Sequence, residues 1–227
     1  MKRLVIGLVL AILVLSLSGI PVAASPPDSS NIEKVTFIHY AKPAAQARPV
    51  WDETATNFKL ISGGVKWFST ISYEVNPAGS GIDATVVGTF QASSATWDAQ
   101  TSAALFNAPT AITATTIGRD NINRVVWGAL NPGIIAVTYL WYNKATKQIL
   151  EFDMVYNTYY KWSTTGAADA MDLQDIATHE LGHNGLGDLY SPKDQALTMY
   201  GYSSLGETQK RTLGTGDILG IQKLYGM

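Results

Sequence analysis

The sequence predicts a single α+β domain, and three observations carry that reading. From about Val65 onward, β-like runs and helical apolar repeats alternate with no linker between them. The chain has 227 residues, 46% of them hydrophobic, enough for one sizeable core. No internal repeat and no long low-complexity stretch divides it.

The N-terminus is read separately. Lys2 and Arg3 precede an apolar run of 17 residues, 4–20, and Val22-Ala23-Ala24 then places small residues where a signal peptidase reads. Residues 1–24 are therefore expected to be a secretory signal cut after Ala24. The rival reading is an uncleaved membrane anchor, because this run sits at the lower end of the roughly 17–25 residues a spanning helix needs. Residues 25–64 form an N-terminal extension. In it SPPDSSN (25–31) reads as an unstructured start, VTFIHY (35–40) as a short strand and AKPAAQARP (41–49) as loop. The sequence allows the extension to be an inhibitory pro-segment, an inhibitor-like clasp or part of the domain. The domain proper is assigned to 65–227.

Within the domain, TISYEVN (70–76) alternates and stops at Pro77, as a strand does. Ile82, Val86, Phe90 and Trp97 recur at helical spacing and predict an amphipathic helix over about 82–100. Short β-like runs follow at 111–117 and 123–127. Two longer ones come next: IIAVTYLWY (134–142), nearly apolar throughout, and ILEFDMVY (149–156), whose alternation predicts one solvent face. Asp172 stands where a helix N-cap would, with Asp175 three residues on, and that helix is expected to run to about Asn184 and halt at Gly185. A last helix is predicted over 217–224, with Ile218, Ile221 and Leu224 on one face and Gly226 past its end.

Charge and cysteine content narrow the function. Loss of Lys2 and Arg3 with the signal lowers the 16 basic residues to 14, against 18 acidic, so the mature chain is acidic. No basic cluster suggests a nucleic acid partner. With no cysteine, disulfides, a lipoprotein anchor and thiolate metal sites are excluded. Any transition metal must be held by nitrogen and oxygen.

HELGHNGLGDLY (179–190) carries the chemistry. On a helix, positions i and i+4 share a face, so His179 and His183 can aim ring nitrogens at one ion. Leu173, Ala177 and Leu181 form a separate packing stripe. Glu180 lies beside the first ligand, placed to take a proton from a water that zinc has acidified. Gly185 and Gly187 let the chain turn back, and Asp188, five residues after His183, is the candidate third ligand. As alternatives, Asp188 caps a turn or binds calcium, and Glu207 is a second oxygen candidate. His39, 140 residues upstream of the motif, is read as structural, with a blocking ligand from the extension as the minority option.

These residues resemble the matrixin-like branch of the metzincin metallopeptidases. HELGH followed by glycine and Asp188 resembles the motif HExxHxxGxxH, or its aspartate variant. Thr198-Met199-Tyr200 resembles the Met-turn, with Met199 as the apolar floor beneath the metal. GDILGIQKLYG (216–226) resembles the closing helix, and ISYEVNP with the Trp97 helix resembles the first strand and helix. The resemblance covers roughly Val65 to the end. Two offsets depart from it: the glycine and the third ligand come two and five residues after His183 rather than three and six, so the turn is one residue short. The family's cysteine latency cannot operate here. Neither Tyr200 nor Tyr202 stands where astacin-like relatives place a ligand tyrosine.

The resemblance implies a twisted, mostly parallel sheet with one antiparallel edge strand, an active-site helix and a C-terminal helix. Residues 134–142 are the candidate edge, to which a peptide adds as a strand, and Trp162 is a candidate cleft wall. It further implies a secreted, monomeric zinc endopeptidase acting on protein or peptides, with structural calcium allowed although no loop has a calcium pattern. Two alternatives stand beside it: a non-catalytic surface module whose shortened turn has spoiled the metal site, and a thermolysin-like site using Glu207.

Overall fold

Among the residues that the computed structural model describes, 31–42 and 54–227, nine strands and three helices occur. The expectations for the signal segment, for residues 25–30 and for the loop-like residues 43–49 lie outside them. In chain order the elements are β1 (Ile32–Ala41), β2 (Tyr73–Val75), α1 (Asp83–Asp98), β3 (Thr110–Ala111), β4 (Asn123–Gly128), β5 (Ile134–Asn143), β6 (Ile149–Asn157), β7 (Trp162–Ser163), β8 (Met171–Asp172), α2 (Leu173–Gly182), β9 (Tyr202–Ser203) and α3 (Thr215–Tyr225).

Seven strands form one sheet in the order β3-β2-β4-β6-β5-β1-β9, and β7 pairs with β8 apart from it. Strands β3, β2, β4 and β6 run parallel, and β5 is antiparallel to β6. Within residues 65–227, β5 is thus the antiparallel edge that the resemblance implies. Its outer side, however, carries β1, which runs antiparallel to it, and two residues of β9 then add parallel to β1.

The apolar run of β5 follows from burial on both faces. Ala136, Leu140 and Tyr142 join the main core beneath the helices, while Val137, Tyr139 and Trp141 join a second cluster with Ile117, Val126 and Leu130. Strand β6 corrects the sequence reading, since its polar residues do not face solvent. Glu151 and Asp153 are both fully buried. The loop before β4 folds over them: Gly118 and Arg124 donate backbone N–H to Asp153 at 2.6 and 3.0 Å, and Asp120 and Asn121 donate to Glu151 at 2.9 and 2.5 Å. Hydrogen bonds from main-chain donors replace the water the alternation implied. Of the run expected at 111–117, only Ala111 lies in a named strand, β3.

Helix α1 buries Val86, Phe90 and Trp97, as its spacing predicts, and Trp97 Nε1 donates to the Thr178 carbonyl at 2.8 Å, fixing α1 against α2. The predicted strand at 70–76 narrows to β2, with Ile71 forming only a bridge to Phe106. Trp162 packs edge-on to Trp127 and beside Tyr156, inside the core rather than along a cleft.

Candidate metal centre

The active-site helix is anchored at its start. The Asp172 carboxylate accepts from Asp175 N at 3.0 Å and from both Nε and Nη2 of Arg211, at 2.8 and 2.5 Å. Leu173, Ala177 and Leu181 face the core, which turns His179, Glu180 and His183 toward the sheet edge. The helix stops at Gly182, earlier than the glycine at 185 suggests, and His183 is its C-cap. Gly182 itself is required by packing: a Cβ there would lie 2.3 Å from Met199 Sδ and 2.6 Å from Trp97. Gly185, at φ 149, reverses the chain where a Cβ would lie 2.3 Å from Leu224.

This early stop brings Asp188 back to the histidines despite the short turn. Asp188 Oδ1 lies 3.1 Å from His179 Nε2 and 3.6 Å from His183 Nε2. The other face of each ring is already committed. His179 Nδ1 donates to the Thr198 carbonyl at 2.7 Å, and His183 Nδ1 to the Leu186 carbonyl at 2.9 Å. A carbonyl only accepts, so each ring carries a proton on Nδ1 and directs its Nε2 inward. Burial pushes His183 down to about 4, which keeps it neutral at pH 7. Asp188 Oδ2 accepts from the Tyr190 hydroxyl at 3.0 Å.

The set fits a metal ion. His179 Nε2 and Asp188 Oδ1 are buried with no hydrogen-bond partner, a costly state for two polar atoms facing one another. The ligand atoms of His179, His183 and Asp188 lie within 4.8 Å of each other. A tetrahedral ion with bonds of about 2.0–2.1 Å sets its ligands roughly 3.3 Å apart, close to the two separations to Asp188. Among the described residues the one other such group is His39, His179 and Glu180, which belongs to the same cleft, so calcium draws no support.

Glu180 is fully buried, and burial raises its carboxyl to about 7, against the opposing pull of His179 and a hydrogen bond from Thr138. Thr138 Oγ1, on β5, donates to Oε2 at 2.5 Å, and His39 Nδ1, on β1, contacts Oε1 at 3.2 Å. Met199 is buried beside Gly182, in a turn held by Asp217 at the start of α3. That carboxylate accepts from the N–H groups of Thr198, Met199 and Gly214 at 2.8, 3.1 and 2.9 Å. Asp217 of α3 therefore fixes the turn that carries Met199.

Other candidates fall elsewhere. Glu207 is bound by Lys42 and Lys210, at 2.8 and 3.1 Å, and is not grouped with the histidines, which removes the thermolysin-like alternative. Tyr200 and Tyr202 pack against one another with their rings tilted by 50°. His39 lies in the cleft, with Nδ1 at Glu180 and Nε2 3.0 Å from Ser203 Oγ. Thr138, Tyr190, Asp217 and Phe37 went unread in the sequence. Only Tyr190, two residues from Asp188, had a local signal.

The family model described as Matrixin matches residues 90–226, more than half of the chain. No curated protein matches it.

Proposed function

The chain belongs to the matrixins, a family of zinc metallopeptidases, and from that premise we propose that it is a secreted zinc endopeptidase with His179, His183 and Asp188 as metal ligands and Glu180 as general base. The observation that carries the reading is the pair of buried, unpartnered atoms, His179 Nε2 and Asp188 Oδ1, facing one another beside His183 Nε2. Zinc held there supplies Lewis-acid polarisation of a peptide carbonyl and acidifies water. Glu180 takes the proton of the attacking water and delivers it to the leaving amine. Thr138 orients that carboxylate through its 2.5 Å bond. Met199, locked by Asp217, forms the apolar base under the ligands. The substrate is protein or peptide, met as a monomer outside the cell after cleavage behind Ala24.

One observation favours a second reading, a non-catalytic surface module: His179, Glu180 and His183 are at most 1% exposed, because β1 covers them. Elemental analysis and a peptide-cleavage assay separate the two. The protease reading expects about one zinc per chain, and it expects Glu180→Ala to keep the metal and lose cleavage by at least ~100-fold. Cleavage that survives in Glu180→Ala would remove the mechanism.

A further inference from the structure

We infer that this chain selects its peptides in a groove along the outer edge of β1, where the amine of Lys59 receives a carboxylate of the substrate close to the bond cleaved. The inference rests on the endopeptidase reading for the cleavage, and adds where the peptide lies and which charge it carries. Both β1 and Lys59 stand before residue 90, outside the matched region. The groove, of about 330 Å³, is bounded by Val35, Thr36, Phe37 and Ile38 on one side and by Lys59 and Tyr190 on the other. Asp188 is the metal ligand that opens onto it.

The sheet edge along this groove is open. Strand β9 pairs only with Tyr40 and Ala41, so among the described residues the outer side of 32–39 carries no strand. Tyr40 and Lys42 donate their N–H outward, to the Gly201 and Ser203 carbonyls at 3.1 and 2.8 Å. The bulge beside Tyr40 adds its extra residue, Ile135, to β5, so the alternation along β1 is unbroken. The N–H groups of Ile38 and Thr36 therefore point outward too, and an extended peptide completes that ladder. On the inner wall the Phe37 ring stacks on His183 with centroids 3.9 Å apart, which sets the groove beside the metal ligands.

Main-chain pairing fixes Lys59 at this groove. Its carbonyl accepts from Gly187 N at 2.8 Å, Leu60 bridges Leu186, and Ile61 N donates to the Gly185 carbonyl at 3.0 Å. The turn that returns Asp188 to the histidines thus also carries Lys59. The lysine stem lies over Gly187, where an added Cβ would sit 3.5 Å from its Cδ and 3.6 Å from its Cε. Lys59 is exposed, and its amine has no acidic partner among the described residues. Asp188 does not supply one, since its oxygens face the histidines and Tyr190. The anion that matches this cation therefore arrives with the peptide, as a carboxylate.

The test uses the full-length, zinc-loaded chain and twin fluorogenic peptides that differ only in Glu or Gln at one position, moved along the peptide, or in a free or amidated C-terminus. The readout is the ratio of kcat/KM for the acidic twin to that for the neutral one, which is indifferent to how much protein is folded or loaded. The wild type is expected to favour the acidic twin, and Lys59→Glu to lower the ratio at least ~10-fold as attraction becomes repulsion. A response to Gln identifies a side-chain carboxylate, and a response to amidation the chain terminus. Thr36→Pro, which removes one outward N–H and leaves the pairing with β5, is expected to raise KM for both twins together, and an unaltered KM overturns the docking edge. Cleavage with a ratio that Lys59→Glu leaves unchanged overturns the groove and spares the peptidase reading. Where no peptide is cut, the same twins, dye-labelled, are bound to the zinc-loaded chain and followed by fluorescence polarisation. Tighter binding of the acidic twin, lost in Lys59→Glu, then upholds the groove and sinks the peptidase reading, whereas equal binding of the twins overturns the groove.

Discussion

Replacing Gly182 by alanine sets helix propensity against packing, and the structure decides the sign. Gly182 is the last residue of α2, where alanine would gain up to about 1 kcal/mol of helix stability. The added Cβ, however, meets Met199 Sδ at 2.3 Å and Trp97 Cζ2 at 2.6 Å, each well inside an ordinary carbon contact of about 3.5–4.0 Å. Neither neighbour has room to withdraw. Both are 1% exposed, Trp97 is pinned to Thr178, and the Met199 backbone is held by Asp217. Overpacking of this kind costs typically about 1–3 kcal/mol. With the propensity gain offset, a net loss of up to about 2 kcal/mol is expected, a Tm lower by up to about 8 °C for a chain of this size. Thermal and urea unfolding of the zinc-free protein, followed by circular dichroism, measures it without linkage to metal. A Gly182→Ala chain as stable as the wild type, or more so, would refute the claim that the helix end and the methionine floor are packed in contact.

Three further outcomes are expected. Asp188→Ala should weaken zinc binding by at least ~100-fold, and Tyr190→Phe by about 10-fold through the lost bond to Oδ2, as read by competition with a chromophoric chelator. Asp217→Ala strands three backbone N–H groups and should cost about 3 kcal/mol or more in urea unfolding, with zinc affinity falling as the floor loosens. For Asp153, burial, with the Glu151 charge adding, raises the carboxyl from 3.8 to about 8. The folded chain then holds a proton that the unfolded chain has lost, so this group's stabilisation is complete below about pH 3.8 and is lost as pH rises through about 8. The stability difference between wild type and Asp153→Asn should therefore slope across that window, and a flat difference would count against a buried, protonated Asp153.

What the sequence made legible was local. The helical spacing of His179 and His183, the aspartate returning after two glycines, the methionine of the turn and the closing helix all lie within about fifty residues, and short-range geometry brings them together. The contacts that complete the cleft are not encoded by spacing. His39 meets Glu180 across 141 positions, and Lys42 meets Glu207 across 165. Only the sheet order, with a strand from the extension laid outside β5, makes them neighbours. Thr138 was hidden in a run read as apolar. Glu151 and Asp153 were read as solvent-facing because alternation reports polarity, not which donors satisfy it. The early end of α2 was missed because the cap is His183 rather than the glycine that usually marks one.

Both inward-facing imidazoles are steered by main-chain oxygens, those of Thr198 and Leu186. A main-chain acceptor survives every point substitution, so the tautomers of this site are insensitive to which side chains occupy positions 186 and 198. They are sensitive to loop length. One residue inserted between Gly185 and Asp188 would shift the Leu186 carbonyl off His183 and carry the carboxylate away in the same step. The ring orientation is thus a property of how many residues the turn contains, and length variants, more than substitutions, are where it would fail.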